Sequence, residues 1–137
     1  MFHHVPESLP ALVHAKKVQR RAASVGFEYP DAASAFADLA DEVEELRAEL
    51  PAADPPPETE PATRHADEVG DVLFACVNVA RRLNVDPELA LRSASARFRE
   101  RVEGAEQLAS ADGLRFAELP LAEQDRFFDL AKEAGPR

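Results

Sequence analysis

Two short acidic runs hold the side chains in this sequence best suited to chemistry. The first, Asp38-Leu39-Ala40-Asp41-Glu42-Val43-Glu44-Glu45-Leu46-Arg47-Ala48-Glu49, carries six carboxylates and one base. The second, His65-Ala66-Asp67-Glu68-Val69-Gly70-Asp71, repeats the acidic theme. On a helix, residues three or four apart share a face, so Glu42 and Glu45 point together, as do Glu68 and Asp71. Exposed acidic faces usually carry Lys or Arg at i+4, which relieves repulsion. Glu42 and Glu45 instead meet Leu46 and Glu49 at that spacing. Four carboxylates gathered in a partly buried place repel one another unless a cation joins them. Oxygen-only ligands suit Mg²⁺ or Mn²⁺. The plainer alternative, two solvated helix faces, stays open at this point.

Each acidic pair flanks an apolar stripe. In the first helix the stripe is Phe36, Leu39, Val43, Leu46 and Leu50; in the second it is Val69, Leu73, Cys76, Ala80 and Leu83. Packing the stripes together would draw the four carboxylates towards one site and place Cys76 in the core. The link between the helices, residues 51–61, has five prolines in eleven residues and reads as a flexible loop rather than a domain boundary. Asn78 lies seven residues beyond Asp71, on nearly the same azimuth and about 10 Å further along. Its amide is placed to read a hydrogen-bonding edge, or else to pack between helices.

The remaining elements supply cations. Pro10 opens a helix running to about Val25, with Leu9, Leu12, Val13 and Ala23 inward. Lys17 and Arg21 share another face of it, where an anionic ligand could be held. Gly26 ends that helix and Asp31 caps the acidic one. Asp86-Pro87 starts a fourth helix that turns Leu91, Ala94, Phe98 and Val102 inward. Its Arg97 and Arg101, at i,i+4, suit phosphate oxygens, with salt bridges to Glu100 or Glu103 as the alternative. Residues 104–113 are expected to form a frayed end and a turn. Pro120 opens a last helix to about Ala134, whose Phe128 and Lys132 could cover a base and touch a phosphate. No strand is expected. The sequence predicts an all-α helical bundle, about four main helices plus a C-terminal helix, with residues 1–137 in a single domain.

Composition bounds the partners. The 137 residues carry a net charge of −10, which argues against a nucleic-acid partner bound through its phosphate backbone. A small phosphorylated ligand remains open if cations are local or a metal mediates. The single cysteine excludes an internal disulfide, and no apolar run approaches membrane-spanning length. A soluble, cytoplasmic protein is the expectation. A di-iron carboxylate bundle is disfavoured because Glu-x-x-His does not occur.

The order of these residues resembles the MazG family of nucleoside triphosphate pyrophosphohydrolases, within the all-α NTP pyrophosphatase superfamily. The family pattern is Glu-Glu-x-x-Glu followed by Glu-x-x-Asp; here it reads Asp41-Glu42-Val43-Glu44-Glu45 and Glu68-Val69-Gly70-Asp71. Val5-Pro6, Leu9-Pro10-Ala11-Leu12, Lys17-Val18-Gln19, Arg21-Ala22-Ala23, Val25-Gly26-Phe27, Asp86-Pro87-Glu88 and Arg97-Phe98 extend the likeness to the C-terminal catalytic half of MazG. The resemblance implies Mg²⁺-dependent hydrolysis of a nucleoside triphosphate to the monophosphate and pyrophosphate. It implies Glu42, Glu45, Glu68 and Asp71 as metal ligands, with Asp41 standing where the pattern has Glu. It implies Lys17, Arg97, Arg101 and Lys132 as phosphate contacts, and Phe128 in a position where relatives often carry Trp. It also implies a helical homodimer with sites near the subunit junction. A base-selective dUTP or dCTP pyrophosphatase, and a non-enzymatic helical interaction module with an acidic binding face, are the rival readings. Phosphoribosyl-ATP hydrolysis fits the flanking blocks less well.

Overall fold

The computed structural model describes residues 1–135. Five helices account for its regular structure: α1 (Ala11–Ala23), α2 (Ala32–Ala48), α3 (Thr63–Arg82), α4 (Pro87–Ala111) and α5 (Leu121–Ala134). A single 3₁₀ turn, Phe116–Glu118, precedes α5. Among the described residues there is no strand, so the protein is all-α, as the residue pattern predicts. The chain divides into two compact units, Met1–Glu88 and the part from Leu89 onward.

Helix boundaries follow local chemistry. Pro10 precedes α1, where its missing N–H leaves no intrahelical bond unmade. Past α1 the backbone turns through Gly26 at φ +90°, a conformation that side chains with a Cβ disfavour. The Asp31 carboxylate accepts from the Ser34 backbone N–H at 2.7 Å and caps α2. Replacing such a cap with Ala costs about 1 kcal/mol. Residues 49–62, which include the proline-rich run, are irregular between α2 and α3.

In the first unit α2 packs along α3, and α1 packs on α3. The closest-packed side chains are small: Ala35 of α2, and Ala75 and Val77 of α3. The predicted apolar stripes are only partly covered, with Leu39, Leu46 and Ala80 half-buried. Phe36 of α2, Leu50 just after it, and Val69, Leu73 and Leu83 around α3, are substantially exposed. Cys76, expected in the core, is exposed as well. Helices that approach through alanines turn their larger side chains to the flanks. Long-range polar bonds reinforce the unit. Glu28, before α2, takes Arg81 and Arg82 at 2.8 Å each, and Arg82 also donates to the Pro30 carbonyl at 2.9 Å. These partners hold the Glu28 carboxyl below its ordinary pKa, the Arg81 hydrogen bond contributing most.

In the second unit Ala105, Ala109 and Phe127 are fully covered, with Phe116, Leu119, Phe128 and Ala131 packed against them. The expected frayed stretch from Gly104 does not occur, because α4 continues to Ala111. At Gly104 an added Cβ would meet the Ala131 Cβ at 3.2 Å, so this glycine allows α4 and α5 to approach rather than ending a helix. The true stop is Gly113 at φ +75°, with Leu114 N–H bonded back to the Ala109 carbonyl at 2.9 Å. Leu91 and Phe98, predicted inward, are largely exposed. The α4 side chains that are buried are the small Ala105 and Ala109.

Candidate metal centre

The two acidic runs meet across the α2–α3 contact. Glu42 from α2 and Glu68 and Asp71 from α3 each place a carboxylate oxygen within 4.8 Å of the others. Glu42 and Glu68 are half-buried, whereas Asp71 is exposed. One oxygen of Glu42 and one of Glu68, both named Oε2, are sealed from solvent with no hydrogen-bond partner. An unpartnered buried carboxylate oxygen is costly, and a divalent cation with oxygen ligands removes that cost. The residues present therefore fit Mg²⁺ or Mn²⁺. Glu45, one turn from Glu42, adds its charge to both Glu42 and Glu68 but is not one of the three converging groups. Asp41 is exposed and likewise stands outside that trio.

The crowding alters acidity. Burial, then the Glu45 charge and hydrogen bond, then Asp71 and Asp38, push the Glu42 carboxyl from 4.5 up to about 7. Glu68 is raised for the same reasons, burial first, then Glu45, Asp71 and Glu49. An acid whose pKa rises on folding binds its proton more tightly folded than unfolded. Its stability contribution is complete below the unfolded pKa and is lost as pH climbs through the folded one. Without divalent cations, the melting temperature should therefore drop between about pH 4.5 and 7 more steeply in the wild type than in Glu42→Gln. Thermal scans of the two proteins across that range check it, and parallel curves would mean that Glu42 is not strained.

A cavity of about 630 Å³ opens in the same unit, and Asp38, one turn before Glu42, is part of its wall. Asn78 lines it, together with residues given no role of their own from the sequence: Gln19, Tyr29, Phe74 and Arg81. Asp38 beside the Tyr29 hydroxyl keeps that phenol above its ordinary pKa. A signal for Gln19 was available. It sits four residues before Ala23 and seven after Leu12, so it is a polar residue on the inward stripe of α1. Lys17 and Arg21 do not line this cavity; Arg21 instead donates to the Met1 carbonyl at 2.8 Å.

The other predicted cations gather in the second unit. Arg97, Arg101 and Lys132 line one cleft of about 410 Å³. Phe128 packs on the core of that unit, its ring 5.9 Å from that of Phe98. An all-helical protein that brings carboxylates from two helices to one point has a group able to hold a metal ion.

Comparison with known proteins narrows the reading. No protein-family model matches the chain. The chain is 40% identical over 124 residues to the nucleoside triphosphate pyrophosphohydrolase/pyrophosphatase MazG of Thermotoga maritima, covering 90% of this chain and 45% of that protein. It is 32% identical over 128 residues to the nucleoside triphosphate pyrophosphohydrolase of Escherichia coli (strain K12), covering 93% of this chain and 47% of the relative. A 70-residue stretch is 40% identical to the uncharacterized protein YabN of Bacillus subtilis (strain 168), 51% of this chain and 14% of that one. The chain is similar to MazG proteins over about nine-tenths of its own length, and it spans about half the length of these relatives.

Proposed function

We propose that the protein hydrolyses nucleoside triphosphates to the monophosphate and pyrophosphate in a Mg²⁺-dependent reaction. One observation carries the proposal: the convergence of Glu42, Glu68 and Asp71, with two buried oxygens lacking partners, in a chain related to MazG pyrophosphohydrolases. Glu42, Glu68 and Asp71 would hold the cation, and Glu45 would complete the acidic group. When bound, the cation would offset phosphate charge and polarise the phosphorus under attack. Arg97, Arg101 and Lys132 are assigned to phosphate oxygens, where fixed positive charge stabilises a leaving pyrophosphate. Lys17 is kept as a further cation for the same anionic substrate. Asp41 and Arg21 are assigned lesser parts, and Phe128 is the aromatic candidate for a base contact.

No helix among the described residues is long and apolar enough to cross a membrane. The exposed apolar side chains on α2 and α3 favour a second copy of the chain as their cover, so the proposed active form is a homodimer. Light scattering should then return twice the 15.0 kDa chain mass; a monomer with full activity would remove the dimer from the proposal.

A panel of NTPs and dNTPs with Mg²⁺, read out as pyrophosphate, tests the activity. It also separates a broad enzyme from one selective for dUTP or dCTP. Absence of turnover, with a basic protein partner captured instead, would favour the interaction module. Oxygen labelling tests where water attacks. Attack at the α-phosphorus in ¹⁸O-water puts the label on the monophosphate, and attack at the β-phosphorus puts it on pyrophosphate. The expected outcome is label on the monophosphate alone; label in pyrophosphate would overturn the assignment of the arginines to the leaving group.

A further inference from the structure

The cavity of the first unit has a chemistry of its own. Phe2, Phe27, Tyr29 and Phe74 give it flat apolar walls. Its carboxylates, Glu28 and Asp38, disfavour a phosphate, and its one cationic lining residue, Arg81, is already tied to Glu28. Volume and lining suit a heteroaromatic ring, since small-molecule pockets are mostly apolar with a few placed polar groups. Two amides supply those groups, and their partners fix which atom of each is left over. Gln19 Nε2 donates to the Phe74 carbonyl at 2.9 Å. A carbonyl only accepts, so the nitrogen must lie there and Oε1 is left over. Gln19 is only 6% exposed, and its Oε1 is sealed from solvent without a partner. At Asn78 the polarity is the reverse. Arg81 donates to Oδ1 at 2.7 Å, and a guanidinium only donates, so Asn78 keeps its NH₂ for another partner.

We infer that Gln19 and Asn78 form an acceptor–donor pair reading the hydrogen-bonding edge of a nucleobase in this cavity, with Arg81 as the positioning residue for Asn78. The inference rests on the nucleotide reading above and deepens it. Every nucleobase offers an N–H next to an acceptor: N3–H and O4 in uracil, N1–H and O6 in guanine, an amino N–H and a ring nitrogen in adenine and cytosine. The ligand's N–H would satisfy Gln19 Oε1, and its acceptor would take the Asn78 N–H. A site built to hydrogen-bond a group rejects an analogue lacking it, because its own buried polar atoms are then left unpaired.

Phosphate-free nucleosides, offered to the full chain without divalent cation, test this apart from any turnover. Tyr29 is the only tyrosine and lines the cavity, so its ring NMR signals report occupancy without ambiguity. The four ribonucleosides are titrated beside edge-methylated counterparts: 3-methyluridine, 1-methylguanosine, N6,N6-dimethyladenosine and N4,N4-dimethylcytidine. The expected result is that the best-bound nucleoside shifts Tyr29 and that its methylated counterpart binds at least tenfold more weakly. Gln19→Met and Asn78→Asp, both close in shape to the wild type, should bring that ratio to within about twofold of one. Arg81→Met should lower it too, and Arg81→Lys, which keeps a donor, should restore most of it. If a variant fails to fold, the methylation ratio of the unaltered chain decides. Equal binding of methylated and plain nucleosides, or an unmoved Tyr29, would overturn the pair even in an active pyrophosphohydrolase. Preserved discrimination in a protein without turnover would instead sink the proposed activity and leave the pair standing.

Discussion

Glu42→Gln and Glu68→Gln are each expected to abolish nucleoside triphosphate turnover while leaving the helical circular dichroism unchanged. Both residues place an oxygen at the point where the carboxylates converge, and both carry an oxygen buried without a partner. Glutamine preserves the shape of the side chain but removes the charge that a divalent cation requires. Loss of a mere supporting partner of a metal ligand already costs roughly 10–100-fold in affinity or activity. Loss of a ligand itself should exceed that. Glu44→Gln is the matched control, because Glu44 is exposed and pairs at 3.3 Å with Arg47 on the helix surface. Such a pair is worth well under about 1 kcal/mol, so activity should stay near wild type. Steady-state rates across a Mg²⁺ series decide the matter. Near-normal turnover by either glutamine variant at low Mg²⁺ would remove the converging carboxylates from the reaction.

The carboxylate convergence was legible in the sequence because it depends on helical spacing alone. Glu42 and Glu45, and Glu68 and Asp71, must each share a face once their segments are helical, and a contact between α2 and α3 then brings Glu42 to Glu68 and Asp71, with Glu45 beside that trio. The face that carries this contact was not legible. Hydrophobicity points to Phe36, Val43, Leu50, Val69 and Leu73, yet the covered side chains are Ala35, Ala75 and Val77. Alanine contributes little to a hydrophobic pattern, so a close alanine-lined approach is easily outvoted by larger residues on the flanks. Gly104 misled for a similar reason. Glycine ends helices and also admits close neighbours, and only the Ala131 methyl 3.2 Å from its missing Cβ selects the second role. The pairing of Glu28 with Arg81 and Arg82 spans more than fifty residues, and no local rule predicts it.

Arg97→Ala and Arg101→Ala should each lower kcat/KM by roughly 10–150-fold, the equivalent of about 1.5–3 kcal/mol for a charged hydrogen bond to phosphate. The sequence left salt bridges to Glu100 or Glu103 as the alternative role. The structure gives Glu103 to another partner, Arg99, at 2.8 Å. Among the described residues no ion pair is recorded for Arg97, Arg101 or Lys132, which line one cleft together. With no ion pair to lose among the described residues, their removal should leave the melting temperature nearly unchanged. Surface substitutions of this kind stay within about 0.5 kcal/mol in stability. Arg99→Ala is the contrasting control, since it breaks the recorded ion pair and should leave kinetics alone. Kinetics and thermal melts on the three variants separate the roles. A lowered melting temperature with unchanged kcat/KM for Arg97→Ala and Arg101→Ala would show that these arginines hold the helices together and take no part in binding phosphate.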